Sequence, residues 1–97
     1  MRLKIIRKKT DNEDLHLKLT GEMTVYSAVK LKDILLNELK FCPGLTLDLA
    51  DVDEADTAGF QLLLFLKREA DLHDKSFRVT EMNSRLNKMF TFYKEKI

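Results

Sequence analysis

Residues 45–66 read LTLDLADVDEADTAGFQLLLFL, and the reading of this stretch decides the fold. Leu45, Leu47 and Leu49 alternate with Thr46 and Asp48, the period of a strand with one face on an apolar layer. Phe60 to Leu66 is an apolar run interrupted only by Gln61, too long and too leucine-rich for a turn and suited to a buried helix. Between the two, Asp51, Asp53, Glu54 and Asp56 precede Thr57, Ala58 and Gly59. The spacing predicts an acidic turn from Asp51 to Asp56 that hands a strand to a helix over 58–72. It leaves the Thr57 hydroxyl, flanked by carboxylates, at the helix start. This strand–turn–helix junction is the predicted working surface.

Working outward, Leu3 and Ile5 alternate weakly with Lys4 in a first strand over 2–9, and Asp11 and Asn12 supply loop chemistry. Leu15, Leu17 and Leu19 alternate with His16, Lys18 and Thr20 in a second strand that Gly21 is expected to end. Ala28, Leu31, Leu35 and Leu39, with Ile34 alongside, recur at three- and four-residue steps and predict an amphipathic helix over 25–39. Cys42-Pro43-Gly44 stops it. Phe77 and Val79 mark a short edge strand. Asn83 or Ser84 then caps a last helix with a stripe of Leu86, Met89, Phe90, Tyr93 and Ile97. The order is β-β-α-β-α-β-α. Right-handed crossovers give a four-stranded mixed sheet of order 1-2-3-4, strand 1 antiparallel, with helices mainly on one face. In such sheets the functional crevice lies beyond the carboxyl ends of the strands, where residues 21–23 and 51–57 both emerge.

Ninety-seven residues make a single domain over 1–97. With 44% hydrophobic and 34% charged residues, the chain can bury roughly 60–65% of its unfolded surface without staples. A net charge of +1 gives no general pull toward nucleic acid, and no apolar run reaches the roughly 20 residues of a membrane helix. Met1 to Lys9 lacks the apolar core of a signal peptide, so a cytoplasmic location is expected. Charge is nevertheless segregated: Arg2, Lys4, Arg7, Lys8 and Lys9 make the start basic, whereas Phe41 to Leu66 contains no Lys or Arg. That acid-only window suits a basic protein patch.

Together, Asp56-Thr57-Ala58-Gly59, the strand LTLDL before it, the helix FQLLLFLKREA after it and Gly21-Glu22 at the end of the second strand make the chain resemble a STAS domain. This is the family of bacterial anti-sigma factor antagonists and of the cytoplasmic domains of sulfate transporters. The resemblance spans essentially the whole chain and is nearest to the short stand-alone bacterial members of signalling and chemotaxis type. It implies a regulatory module that takes part in partner switching and the regulation of transcription. In this family the hydroxyl at the position of Thr57 is phosphorylated by a partner serine/threonine kinase that is itself the anti-sigma factor, and only the unphosphorylated form binds that kinase. The chain departs from the usual pattern in having threonine at that position and Met23-Thr24-Val25-Tyr26 after Gly21-Glu22.

The expected docking surface is Glu22, Met23, Asp53, Glu54, Asp56, Thr57, Ala58, Gly59 and Phe60, with Thr57 the phosphoacceptor and Asp56 its positioning neighbour. Tyr26 and Phe92 are further candidates for partner contact. The same residues carry a plainer reading, with Asp56 or Thr57 as a helix cap and Gly59 as a close-packing position. The alternative function is a constitutive adaptor or subunit of a transporter ATPase or chemotaxis complex, without phosphorylation. Homodimerisation is left open.

No catalytic residue, metal or cofactor is expected. A calcium loop of the EF-hand type fails because Ala55 stands at its third ligand and Asp56 in its glycine slot. His16 and His73 have no cysteine beside them, the lone Cys42 cannot form an intramolecular disulfide, and no nucleophile–base order or phosphate loop is legible.

Overall fold

A computed structural model describes residues 3–9, 14–84 and 86–88. The elements are β1 (Leu3–Lys9), β2 (Leu15–Met23), α1 (Val25–Phe41), β3 (Gly44–Ala55), α2 (Thr57–Leu72) and β4 (Ser76–Met82). The sheet order is β1-β2-β3-β4, with β1 antiparallel to β2 and the remaining pairs parallel. This is the expected topology. Asn83 opens a further helical turn, its side-chain oxygen accepting from the Leu86 N–H at 3.0 Å. The rest of the expected stripe (Met89, Phe90, Tyr93, Ile97), and Phe92, lie outside the described residues.

The core is a leucine layer. Leu15 and Leu17 of β2 lie in register with Leu45 and Leu47 of β3, and these four, with Leu19 and Leu49, are buried on one face of the sheet. Leu31, Leu35 and Leu39 of α1 and Leu63, Leu66 and Ala70 of α2 close over them. Fully burying such a side chain stabilises by roughly 1.5–3 kcal/mol relative to exposure, so this layer dominates the folding free energy. The helices also meet each other, with the Lys32 ammonium 4.4 Å from the centre of the Phe65 ring. Arg7 of β1 reaches α1 through a two-point contact with the Glu38 carboxylate, both at 2.8 Å.

Both helices end on specific contacts. The Lys75 ammonium donates to the Leu39 carbonyl and, at 2.8 Å, to that of Lys40, closing the C-terminus of α1. After α2, the Lys75 N–H returns to Ala70 O at 2.8 Å and the Asp74 N–H to Asp71 O at 3.3 Å, with Asp74 at φ 56°. This is a left-handed helix stop filled by aspartate where glycine is commonest.

Two expectations need correction. Residues 51–55 are not a turn but the far half of β3, and Gly21 does not end β2, which runs on to Met23. The two extensions pair with each other: Thr20 with Asp51, Gly21 with Val52, Glu22 with Glu54 and Met23 with Ala55. Register shifts after Lys18 and after Gly21 place an extra β3 residue in the ladder each time. Inward residues therefore recur as Leu49, Val52 and Ala55, a spacing of three in which a period-two pattern does not register. Gly21 passes the irregularity at φ 115°, a backbone region that favours glycine. Asp74→Gly should relieve the strain after α2 and raise the unfolding free energy by up to about 1 kcal/mol, read as a shift in the urea midpoint at constant slope.

Candidate functional site

At the junction of β3 and α2 a single carboxylate closes two helix ends. Asp56 is the N-cap of α2, and its Oδ1 accepts from the N–H groups of Ala58 (2.9 Å) and Gly59 (3.2 Å). Its Oδ2 accepts from the N–H of Val25, the first residue of α1, at 3.0 Å. The leading N–H groups of a helix have no partner within it and carry partial positive charge, so an anion there satisfies donors and dipole together. Here one side chain does so for both helices. The Asp56 N–H in turn donates to Met23 O at 3.3 Å, tying the junction to the end of β2.

The start of α1 is built from the residues that depart from the family's usual wording. Thr24 is the N-cap; its Oγ1 accepts from the Tyr26 N–H at 3.3 Å, and its own N–H donates to Ser27 Oγ at 3.1 Å. This reciprocal arrangement is a capping box with serine in the usual Glu/Gln place. Ser27 is fully buried, and its hydroxyl lies 3.1 Å from Glu22 O and 3.3 Å from Thr24 O. Gly59 brings α2 against the end of β2, where a Cβ would collide with the Met23 carbonyl oxygen.

The expected docking residues fall into two layers. Thr57, the first residue of α2, is exposed, as are Asp53 and Glu54; Glu22, Asp56 and Ala58 are half-buried. Met23, Gly59 and Phe60 are buried and support the surface from beneath. Phe60 and Met23 are therefore core side chains, placed there by the inward face of α2 and the extension of β2. Beside the junction stand residues that the sequence pattern only partly flagged: Tyr26 is 87% exposed, Val29 74% and Val25 58%. The signal was available in the i, i+4 pair of valines off the apolar stripe. Of the acids nearby, Asp51 pairs with Lys18 at 3.1 Å, and the bond raises the Lys18 pKa above its ordinary value. Asp48 accepts from the Ala50 N–H at 3.0 Å.

Elsewhere, a cavity of about 670 Å³ separates the C-terminal halves of α1 and α2, with Leu36, Leu39 and Phe65 among its lining and Asp33, Glu69 and Lys75 at its polar parts. It lies at the opposite end of the helices from Thr57. Among the described residues, no three of His, Cys, Asp and Glu group as metal ligands, and no helix is long and apolar enough to cross a membrane.

Residues 6–94 match the family model described as "Mlab, STAS domain". The chain belongs to the STAS family. Solved structures share its fold at low identity. An anti-sigma factor antagonist from Mycobacterium paratuberculosis superposes with a TM-score of 0.83 at 15% identity, over 95% of this chain and 78% of that one. The anti-sigma factor antagonist SpoIIAA in its unphosphorylated form gives 0.73 at 14% identity, over 92% and 83% of the two chains. The Bacillus cell fate determinant SpoIIAA in its phosphorylated form gives 0.75 at 14%, over 93% and 83%. No protein of curated function matches the sequence significantly. As a STAS module, the chain has the fold of a regulatory domain family.

Two substitutions test the junction. Asp56→Ala removes the acceptor of both helix starts and should lower stability by about 1–2 kcal/mol in chemical unfolding, with faster amide exchange at Val25, Ala58 and Gly59. Gly59→Ala drives a methyl group into a backbone carbonyl that cannot turn aside. It should cost about 1–3 kcal/mol, despite the better helix propensity of alanine.

Proposed function

We propose that this STAS domain is a non-catalytic, cytoplasmic protein-binding module whose docking at the β3–α2 junction is switched by phosphorylation of Thr57. The observation that carries the reading is the placement of Thr57. It is the first residue of α2, exposed, held beside a carboxylate already committed to the helix N–H groups, and next to exposed Asp53 and Glu54. The fold is also that of SpoIIAA, a protein solved in both phosphorylated and unphosphorylated forms. The partner in this reading is a serine/threonine kinase of the anti-sigma factor type or a related signalling protein.

Added phosphate brings about −1.5 to −2 charges and three strong acceptors. At most helix starts it would gain from the free N–H groups. Here Asp56 holds those of Ala58 and Gly59, so repulsion offsets that gain and the fold is left with little reason to change. The consequence falls on the partner, which must bury a dianion against an already acidic surface. A loss of about 3 kcal/mol would weaken binding on the order of 100-fold. The switch is then one of binding rather than conformation.

The alternative is a constitutive adaptor or subunit, of a transporter ATPase or a chemotaxis complex, that uses the same surface with Thr57 as a contact. Incubation with the cognate kinase and ATP should place one phosphate on the chain, and Thr57→Val should abolish it; label on another residue would refute the assignment. In a pull-down with the partner, the switch predicts loss with Thr57→Asp and retention with Thr57→Val. An adaptor that uses the hydroxyl loses binding with both.

A further inference from the structure

We propose that the sheet face turned away from the helices carries a binding site for a phosphate group, with Thr46 at its centre, His16 and Arg78 on either side and Lys8 at its margin. The site lies near the amino ends of β2, β3 and β4, far from Thr57, and does not depend on the function proposed for that junction.

The four residues form one row across four strands. Lys8 of β1 is in register with His16 of β2, His16 with Thr46 of β3, and Thr46 with Arg78 of β4. Alternation turns the whole row away from the leucine layer. Leu15 and Leu17 flank His16, Leu45 and Leu47 flank Thr46, and Phe77 and Val79 flank Arg78; all six pack inward. Arg7, beside Lys8, reaches α1 on the inner side. Neighbouring strands stand about 4.8 Å apart, so His16 and Arg78 start roughly 10 Å from each other with Thr46 midway. Side chains of that length can converge over Thr46 on a group the size of phosphate.

Two observations single out this row. The first is Thr46 itself, a polar residue only 8% exposed. The other buried polar residues, Thr24 and Ser27, are hydrogen-bonded, whereas the Thr46 hydroxyl has no partner among the described residues. No fully buried side-chain nitrogen or oxygen among those residues goes unpaired, so the Thr46 hydroxyl keeps an opening to the surface. Valine would meet the preference of a strand for a branched side chain equally well, so the fold does not account for the hydroxyl.

The second is charge. Lys8, His16 and Arg78 are exposed, and none has an ion-pair partner among the described residues. Opposite charges facing each other across a sheet stabilise it, and like charges do the reverse. The next row obeys that rule in part: Lys18 stands beside Asp48, which is followed by Glu81, and the Lys18 ammonium lies 3.1 Å from Asp51. Asp14, two residues before His16, is half-buried against Gly44 and already has a partner. The row of Thr46 contains no acid. A guanidinium matches two oxygens of a phosphate at once. The tetrahedral anion has further oxygens for the Thr46 hydroxyl and the His16 ring, which a planar carboxylate lacks.

The test is an amide chemical-shift titration of the full chain with inorganic phosphate, glycerol phosphate and acetate, at constant ionic strength. Both phosphate compounds should shift residues 8, 16, 46 and 78 and their neighbours saturably, and acetate should not. Tighter binding of glycerol phosphate would assign the site to an organic phosphate; equal affinity would assign it to the free ion. Arg78→Gln should weaken binding by about tenfold or more, and Thr46→Val several-fold. Lys30→Gln, which removes the same charge from α1, should leave affinity unaltered. The melting temperature of Thr46→Val should be unchanged or higher, because the hydroxyl serves no contact in the fold. Equal affinity for acetate, shifts that do not saturate, shifts centred on the helix starts at 25 and 57–59, or full affinity in Arg78→Gln would each overturn the proposal. So would a lowered melting temperature for Thr46→Val, which would return the hydroxyl to the fold.

Discussion

The end of the molecule proposed as its working surface is held together by one carboxylate serving three backbone donors on two helices. A helix that begins at a sheet edge exposes N–H groups that water can satisfy only if the edge stays open. Where two helices begin side by side, their partial positive charges also repel each other. An aspartate between them answers both difficulties, and it does so with a short side chain that leaves neither helix free to rotate about its first turn. The positions of Thr57 and Tyr26 relative to each other follow from that bond. The surface a partner would meet is thus a property of the junction and not of either helix alone.

The acids beside it owe their exposure to the sheet. An uninterrupted strand after Leu49 would turn every second residue of the acidic stretch toward the leucine layer. The two register shifts let Val52 and Ala55 face inward while Asp51, Asp53 and Glu54 stay in water. The strand keeps its backbone hydrogen bonds with β2, so the carboxylates are displayed from a paired ladder and not from a loop. A surface presented in this way is pre-organised, which reduces the ordering that association would otherwise require. The same pairing carries Met23 beneath α2, where Gly59 lets the helix approach the Met23 carbonyl.

Much of this architecture is legible in the sequence because the dominant interaction is periodic. Leu15, Leu17, Leu19 and Leu45, Leu47, Leu49 alternate, Leu31, Leu35 and Leu39 recur at helical spacing, and burial of those residues is what sets element type and order. The right-handedness of crossovers then leaves one simple strand order. Asp56 as a helix cap is equally legible, being a local contact two and three residues long. The extension of β2 and β3 was not, because its apolar positions fall three apart. Nor was the burial of Met23, which depends on where the end of β2 meets α2.

The sequence by itself therefore determined the family, the strand order and Asp56 as the cap of α2, since each rests on local spacing and on which side chains avoid water. The tertiary structure alone decided that residues 51–55 are strand, that Asp56 also holds the start of α1, and that Val25, Tyr26 and Val29 border the same rim as Thr57. Those facts arise from contacts such as Val25 to Asp56, between residues 31 apart in the chain. No spacing rule reaches across such a distance; only the packing of both helices on one sheet face brings the two residues together.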